Sequence, residues 1–238
     1  MDTAETKNMD DNKIIDELFT AGAHFGYIKS RRHPTSKEFI FGVKNKVEIF
    51  DLTKTAPKLI EAEKYVTELA RLGQNILFVG GKSEAREIIK DSAESINMPY
   101  VSGRWVGGTL SNFTEIKKRI SRLETLTLQK EKGELIKYTK KERLLIDKEI
   151  ERLRTLFSGL QGMKEIPKAI FVVDSKKEKI AVKEAGDKNI VTIGLSGTDC
   201  DHKEVDYSIP GNDSSKQSIK FFVERIRDAY RKGLTLKV

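Results

Sequence analysis

The chain has 238 residues, of which 38% are hydrophobic and 34% are charged, and its formal net charge is +8. This length suits one full-sized domain with an appendage, and the charge indicates nucleic acid or an anionic membrane surface as a partner, or simply a solubilising surface. The single cysteine, Cys200, excludes an internal disulfide and fits a reducing cytoplasm, and no run reaches the roughly 20 apolar residues of a membrane-spanning helix.

Helical patterns open the chain. Residues 1–13 are polar and acidic, match neither a signal nor a transit peptide, and are expected to form a disordered leader. A short helix is predicted over 14–21, where Gly22 ends it. A longer amphipathic helix is predicted over 53–72, because its apolar residues recur at helical spacing.

A basic loop and a basic hairpin separate these two helices. Residues 29–37 contain four Lys/Arg and His33 but no acid. Two β-rich runs within 39–50 predict a hairpin whose tip carries Lys44 and Lys46. Flexible basic loops around a rigid core can follow a phosphate backbone, so both segments are candidates for nucleic-acid contact.

The core pattern is a repeat of apolar runs and helices. The runs have the composition of strands buried on both faces. Such alternation implies an α/β fold with a mainly parallel sheet and helices on both faces. The predicted strands cover 75–79, 100–101, 169–174, 190–194 and 207–210, and helices follow over 83–96, through 185, and over 214–232.

Residues 112–160 break this rhythm. Apolar residues there step by three and four, which is the narrow seam of a coiled coil, and we predict two antiparallel helices in a projecting hairpin. The segment holds thirteen Lys/Arg and eight Asp/Glu, so it carries +5 of the net charge. Solvation of an exposed helix pair is the alternative explanation of these charges.

The stretch 99–113 connects the core to this hairpin. It contains the only tryptophan, Trp105, next to Arg104, and a glycine pair that allows the backbone to turn. We expect Ser111 or Asn112 to cap the first hairpin helix. Arg104 and Trp105 could offer a guanidinium and a stacking surface to an unpaired base, although Trp105 could equally pack in the junction.

The sequence lacks the residues that a nucleotide-binding enzyme requires. The run Gly80–Ser83 resembles the end of a phosphate-binding loop, but Ile76 stands where the first glycine of that motif is required. Ser83 can cap the next helix, and Lys82, at the helix N-terminus, could still hold a phosphate of a larger polyanion.

Histidines and acids form no convergent set either. The three histidines are scattered, and Cys200 with His202 falls short of the four ligands of a structural zinc site. Asp51 and Asp174 lie at strand ends, where they can cap helices. We therefore expect no catalytic site, no metal and no cofactor. The candidate RNA-binding residues are Lys29, Arg31, Arg32, His33, Lys37, Lys44, Lys46, Lys82, Arg104 and Trp105.

Five stretches carry a family resemblance. They read AGAHFGYIKSRRHP, FIFGVKNKVEIFDLTKT, ILFVGGKSEAREII, MPYVSGRWVGGTLSNF and VDYSIPGND, in this order. Together they resemble the S-two family of small ribosomal subunit proteins. The long charged helical segment and the run from Arg104 to Asn112 resemble its bacterial form, and the similarity extends from about Leu18 to Leu234.

The resemblance implies a flavodoxin-like three-layer α/β/α domain, over 14–111 and 161–238, with an inserted, protruding coiled-coil hairpin at 112–160. It implies a non-enzymatic, cytoplasmic ribosomal component that contacts small-subunit ribosomal RNA. It also implies a place between head and body of the subunit, late assembly, and contact with neighbouring proteins, including the large messenger-recruiting one. No homo-oligomer and no membrane contact are expected.

The chain departs from the family pattern at two places. Tyr27 stands where the family often has the second histidine of His-Phe-Gly-His, which puts metal binding with His24 in doubt. The late turn reads Leu195-Ser-Gly-Thr-Asp in place of Asp-Thr-Asn. The rival hypotheses are a nucleotide-binding α/β enzyme and a free-standing regulator that uses the hairpin as a protein-binding arm.

Overall fold

The computed structural model describes residues 13–236. Its strands are β1 (Phe25–Ile28), β2 (Ile40–Lys44), β3 (Val47–Phe50), β4 (Ile76–Val79), β5 (Tyr100–Val101), β6 (Ala169–Val173), β7 (Val191–Ser196) and β8 (Tyr207–Pro210). Its helices are α1 (13–20), α2 (Leu52–Arg71), α3 (Ser83–Glu94), α4 (Phe113–Glu131), α5 (Lys140–Phe157), α6 (Lys179–Asp187) and α7 (Lys216–Thr235).

Five strands form one parallel sheet in the order β5-β4-β6-β7-β8. Strand β4 pairs with β5 on one side and with β6 on the other. The chain adds β5 on one side of β4 and all later strands on the other side, so the switch point lies between β4 and β6. In doubly wound sheets this switch point forms a crevice outside the carboxyl ends of the strands. The predicted α/β fold with a parallel sheet is confirmed.

The two faces of this sheet are covered by different helices. Ile76 and Phe78 of β4 pack in one cluster with α2, α3 and α7. The alternate residues Leu77 and Val79 pack in a second cluster with α6 and with apolar residues of α4 and α5. This arrangement is compatible with three layers, because successive side chains of a strand point to opposite faces.

A separate antiparallel sheet, in the order β1-β3-β2, carries the predicted basic hairpin. The turn between β2 and β3 holds Asn45 at φ 51° and Lys46 at φ 67°. Two successive residues with positive φ are typical of a tight hairpin turn. Strand β1 was not predicted, because its four residues, FGYI, are too few to show alternation.

Helices α4 and α5 pack against each other along the predicted apolar seam. Ile116, Ile120 and Leu123 share a buried cluster with Ile150 and Leu153. Arg122 pairs with Glu149 and Lys130 with Asp147, so partner numbers fall along α5 as they rise along α4. The two helices are therefore antiparallel, and a Thr139–Glu142 capping box begins α5.

Some boundary predictions need correction. Lys82, rather than Ser83, occupies the N-cap position of α3, and Ser83 is its first residue. Asn112 is the N-cap residue of α4, but its side chain makes no capping bond. The predicted leader lies outside the described residues except for residue 13, which is helical. Within 13–236, none of the helices combines the length and the apolar character that a bilayer crossing requires.

Candidate nucleic-acid interface

The basic loop is anchored to the segment that follows β7. It forms two short 3-10 helices, Lys29–Arg31 and Pro34–Phe39. Between them, the backbone N–H of His33 donates to the Thr198 carbonyl at 2.8 Å. The close approach needs a glycine at Gly26, because a Cβ there would clash with the Thr198 side chain. Contacts distant in sequence therefore fix the orientation of this loop.

Two arginines of the loop face carboxylates. Arg31 lies 3.6 Å from Asp199, and its guanidinium stacks 4.5 Å from the centre of the Tyr27 ring, yet its side chain is 55% exposed. Arg32 donates to the fully buried Glu48 at 3.0 Å. Removing Arg32 would leave that acid without its cation, which is costly in a buried position. This pairing favours a structural role for Arg32, although its predicted RNA contact is not tested by it.

Four lysines at this end of the molecule have exposed side chains: Lys29, Lys37, Lys44 and Lys46. In the described part of the chain, the ion pairs of the loop are made by Arg31 and Arg32 instead of these lysines. His33 bonds the Thr35 hydroxyl through Nδ1 at 2.8 Å and keeps about a third of its side chain exposed, 35%. The lysine charges remain free to meet an external anion.

Lys82 is placed where it cannot meet RNA. Its ammonium group lies 2.8 Å from Asp174 and 2.9 Å from Asp213, and its side chain is only 11% exposed. Burial by itself lowers the pKa of Lys82, but the two carboxylates outweigh it and raise that pKa above the usual value. Lys82 is therefore cationic and internally neutralised, and we withdraw it from the RNA-binding set.

This cluster occupies the switch point of the sheet. Lys82 follows β4, Asp174 follows β6, and Asp213 follows β8. Ligand atoms of Asp174, Asp213 and Cys200 lie within 4.8 Å of one another, as in a candidate metal site. However, the Lys82 ammonium already supplies the positive charge between the two carboxylates, and burial raises the pKa of the Cys200 thiol to about 12. The cluster fits an internal ion-pair network better than a metal centre.

The remaining histidines are held in the same structural way. His24 stacks between Phe19 and Phe25, and burial, followed by the nearby charge of Lys44, lowers its pKa. The Tyr27 hydroxyl lies within hydrogen-bond distance of Ser214 rather than of His24. Burial lowers the pKa of His202 to about 4, so this ring is neutral at neutral pH.

The tryptophan is also internal. Trp105 is 6% exposed, and its indole Nε1–H donates to Glu184 of α6 at 3.3 Å. A ring buried this deeply presents little surface to a base, which favours the alternative prediction that Trp105 packs in the junction. Its neighbour Arg104 is exposed. Of these two adjacent residues, Trp105 is therefore buried and Arg104 is accessible to solvent.

Glu184 organises the turn that sequence analysis singled out. Its two carboxylate oxygens accept the N–H groups of Gly108 at 2.8 Å, Leu110 at 3.0 Å and Ser111 at 3.1 Å, in addition to the indole. Burial raises the pKa of Glu184, but these four donors outweigh burial and the net pKa is lowered. Glu184 therefore holds the turn that precedes α4, and it does not supply the side-chain cap predicted for that helix.

Glu184 and Asp213 are not among the residues predicted from the sequence. A local signal for Glu184 does exist, because it lies three residues after Ala181 and next to Ala185, on the apolar face of α6. A buried carboxylate must accept hydrogen bonds, and the unpaired backbone N–H groups of a nearby turn are available donors. Asp213 follows the last strand in an ordinary turn sequence and offers no such signal.

Comparison with known proteins agrees with the resemblance. Residues 18–233 match the family described as Ribosomal protein S2. The small ribosomal subunit protein uS2 of Chloroflexus aggregans is 40% identical over 220 residues, which is 92% of each chain. The protein of the same name from Chloroflexus aurantiacus is 39% identical over 219 residues, again 92% of each chain. The chain belongs to the ribosomal protein S2 family.

Proposed function

We propose that this chain is a structural, non-enzymatic constituent of the bacterial small ribosomal subunit, where it binds small-subunit ribosomal RNA and neighbouring ribosomal proteins and supports translation in the cytoplasm. The observation that carries this proposal is the family match across residues 18–233. The geometry adds a surface of exposed lysines and a switch-point crevice filled by an internal ion pair.

The proposed architecture follows the family. Strand order β5-β4-β6-β7-β8 has the 2-1-3-4-5 pattern of flavodoxin-like domains, counted from β4 as the first strand. We propose that residues 14–111 and 161–238 form this three-layer domain and that 112–160 form a protruding coiled-coil hairpin. A position between head and body of the subunit, and contact with the messenger-recruiting protein, come from the resemblance alone.

The RNA-binding residues in this proposal are accessible Lys, Arg and His side chains. Arg32, Lys82 and Trp105 are left out, because each is engaged inside the protein. Contacts from long, solvated side chains to phosphates supply affinity and position without reading sequence. The proposed set is Lys29, Arg31, His33, Lys37, Lys44, Lys46 and Arg104.

The test removes charge only where the structure leaves it unpaired. Replacing Lys29, Lys37, Lys44 and Lys46 with Gln should weaken binding to small subunits from which this protein has been stripped. Counterion release predicts that the slope of log K against log salt falls in magnitude by roughly one for each phosphate that the variant no longer neutralises. The measurement is binding at several salt concentrations.

The matched control is the replacement of Lys64, Lys90, Lys188 and Lys220 with Gln, which removes the same charge from other exposed positions that form no ion pair among the described residues. Equal salt slopes for the two quadruple variants would contradict the RNA role of the loop and hairpin tip. Tight, saturable binding of a mononucleotide by the unmodified protein would instead favour the nucleotide-binding enzyme.

A further inference from the structure

Three adjoining cavities form one groove where the turn after β5 meets helices α5 and α6. The first, about 300 Å³, is lined by Arg86, Arg104 and Lys177. The second, about 500 Å³, shares Arg104 with the first and adds Arg152. The third, about 660 Å³, shares Arg152 with the second and adds Arg119. We name this continuous depression the junction groove.

The cations of the junction groove are exposed and lack acidic partners. Lys177 and four arginines line it, and within the described part of the chain none of the five forms an ion pair. Arg86 makes only a long bond, 3.4 Å, to the Gly81 carbonyl. Such side chains hold their full charge toward solvent, as an anion-binding surface requires.

The acids of the groove do not cancel this charge. Glu149 is bonded to Arg122, and Glu115 to Lys118, and both of these cations lie outside the groove. The third acid, Glu178, is buried and accepts the Gly81 N–H at 3.1 Å. Burial also raises the pKa of Glu178. The open face of the groove is therefore cationic.

We propose that the junction groove binds the phosphodiester backbone of RNA, as a second contact surface that runs from the switch point of the sheet to the base of helices α4 and α5. This inference rests on the proposed function and extends it to Arg86, Arg119, Arg152 and Lys177. Guanidinium groups present fixed pairs of donors that match phosphate oxygens.

The distribution of the cations favours RNA over an acidic protein segment. They lie on α3, on the turn after β5, on α4, on α5 and in the segment before α6, so they follow one another along the groove. A ligand with an anion at every step can satisfy such a row, and a nucleic-acid backbone is that ligand. An acidic segment of a neighbouring protein is the competing outcome of the test below.

The first experiment compares two triple variants. Arg86→Gln, Arg104→Gln and Arg152→Gln remove three groove cations, whereas Lys90→Gln, Lys117→Gln and Lys148→Gln remove three exposed charges on α3, α4 and α5 that lie outside the groove and form no ion pair among the described residues. We expect the groove variant to bind stripped small subunits roughly tenfold or more weakly than the control variant, with a salt slope smaller by about two to three.

The second experiment locates the ligand directly. The only native thiol, Cys200, is buried, and its pKa of about 12 keeps it unreactive. A probe cysteine at the exposed groove residue Thr155 can therefore be labelled alone with an iron chelate that cleaves nearby RNA. Thr125→Cys is the matched control, because both hydroxyls bond the carbonyl four residues earlier and Thr125 lies outside the groove.

Cuts in ribosomal RNA that are specific to Thr155→Cys would support the proposal. An assembled Thr155→Cys subunit with no such cuts, or one whose probe marks a protein instead, would overturn it. Equal affinities and salt slopes of the two triple variants would also overturn it. If the unmodified chain fails to bind stripped subunits at all, the proposed function falls, and that result is distinct from a failure of the groove alone.

Discussion

This protein stabilises buried carboxylates in two different ways, at two separate centres. Asp174 and Asp213 are neutralised by the ammonium group of Lys82, a full opposite charge at 2.8 and 2.9 Å. Glu184 meets no cation in its hydrogen-bonded shell and is held by four N–H donors. The first centre links strand ends of the sheet, whereas the second holds the turn that leads to α4.

The pKa values of Asp213 and Glu184 are shifted in opposite directions. Burial raises the pKa of Asp213, and the attraction of Lys82 only partly offsets that effect. At Glu184 the donors reverse the effect of burial and lower the pKa. The opposite directions have two causes: Asp213 is more deeply buried than Glu184 and is repelled by Asp174, whereas Glu184 is opposed by burial alone and accepts four N–H donors.

The largest effect is expected when the shared cation is removed. Lys82→Met keeps the apolar stem but leaves two buried carboxylates facing each other, and we expect a loss of about 3–5 kcal/mol in unfolding free energy. Urea denaturation at pH 7 measures it. The double variant Lys82→Met/Asp213→Asn should recover part of the loss, and an unchanged midpoint for Lys82→Met alone would refute the charge-pair interpretation.

A smaller effect is expected at Glu184. Glu184→Gln keeps the shape but replaces one acceptor oxygen with an amide that faces N–H donors, so the unfolding free energy should fall by about 1–3 kcal/mol. Amide exchange should accelerate at Gly108, Leu110 and Ser111. Lys183→Gln, an exposed change on the same helix, should stay within roughly 0.5 kcal/mol of the unmodified protein. Unchanged exchange at all three amides would argue against the cradle.

The smallest effect is the pH dependence of the difference in unfolding free energy between the unmodified protein and Glu184→Gln. Because the folded pKa of Glu184 is lowered, its contribution to stability is present above the unfolded value of about 4.3 and is lost as pH falls through the folded pKa. Glutamine does not titrate, so the gap between unmodified protein and Glu184→Gln should be constant from pH 6 to 8 and shrink below about pH 4.

His202, whose pKa of about 4 lies in the same range, acts equally in both proteins and cancels from this comparison. A gap that stayed constant down to the lowest pH at which both proteins fold would mean that the folded pKa of Glu184 equals its unfolded value, and it would contradict the stabilisation of the anion by these donors.

Local pattern was sufficient to predict most elements of the fold, although not the short strand β1. The apolar runs of β4 and β6, the helical spacing of α2 and the seam of α4 and α5 depend on neighbours a few residues apart, and the structure has all of them at nearly the predicted bounds. Family membership also followed from sequence, because long ordered motifs identify relatives without coordinates.

Tertiary structure alone decided which polar residues are free. A dense basic loop suggested that Arg32 was available, and a helix N-terminus suggested the same of Lys82. Yet Arg32 neutralises a buried glutamate and Lys82 pairs with Asp213, 131 residues away. Trp105 likewise finds its acceptor 79 residues along the chain, at Glu184. Sequence determined the elements because their periodicity is local, whereas charge pairing and burial depend on contacts between distant segments that only the folded chain brings together.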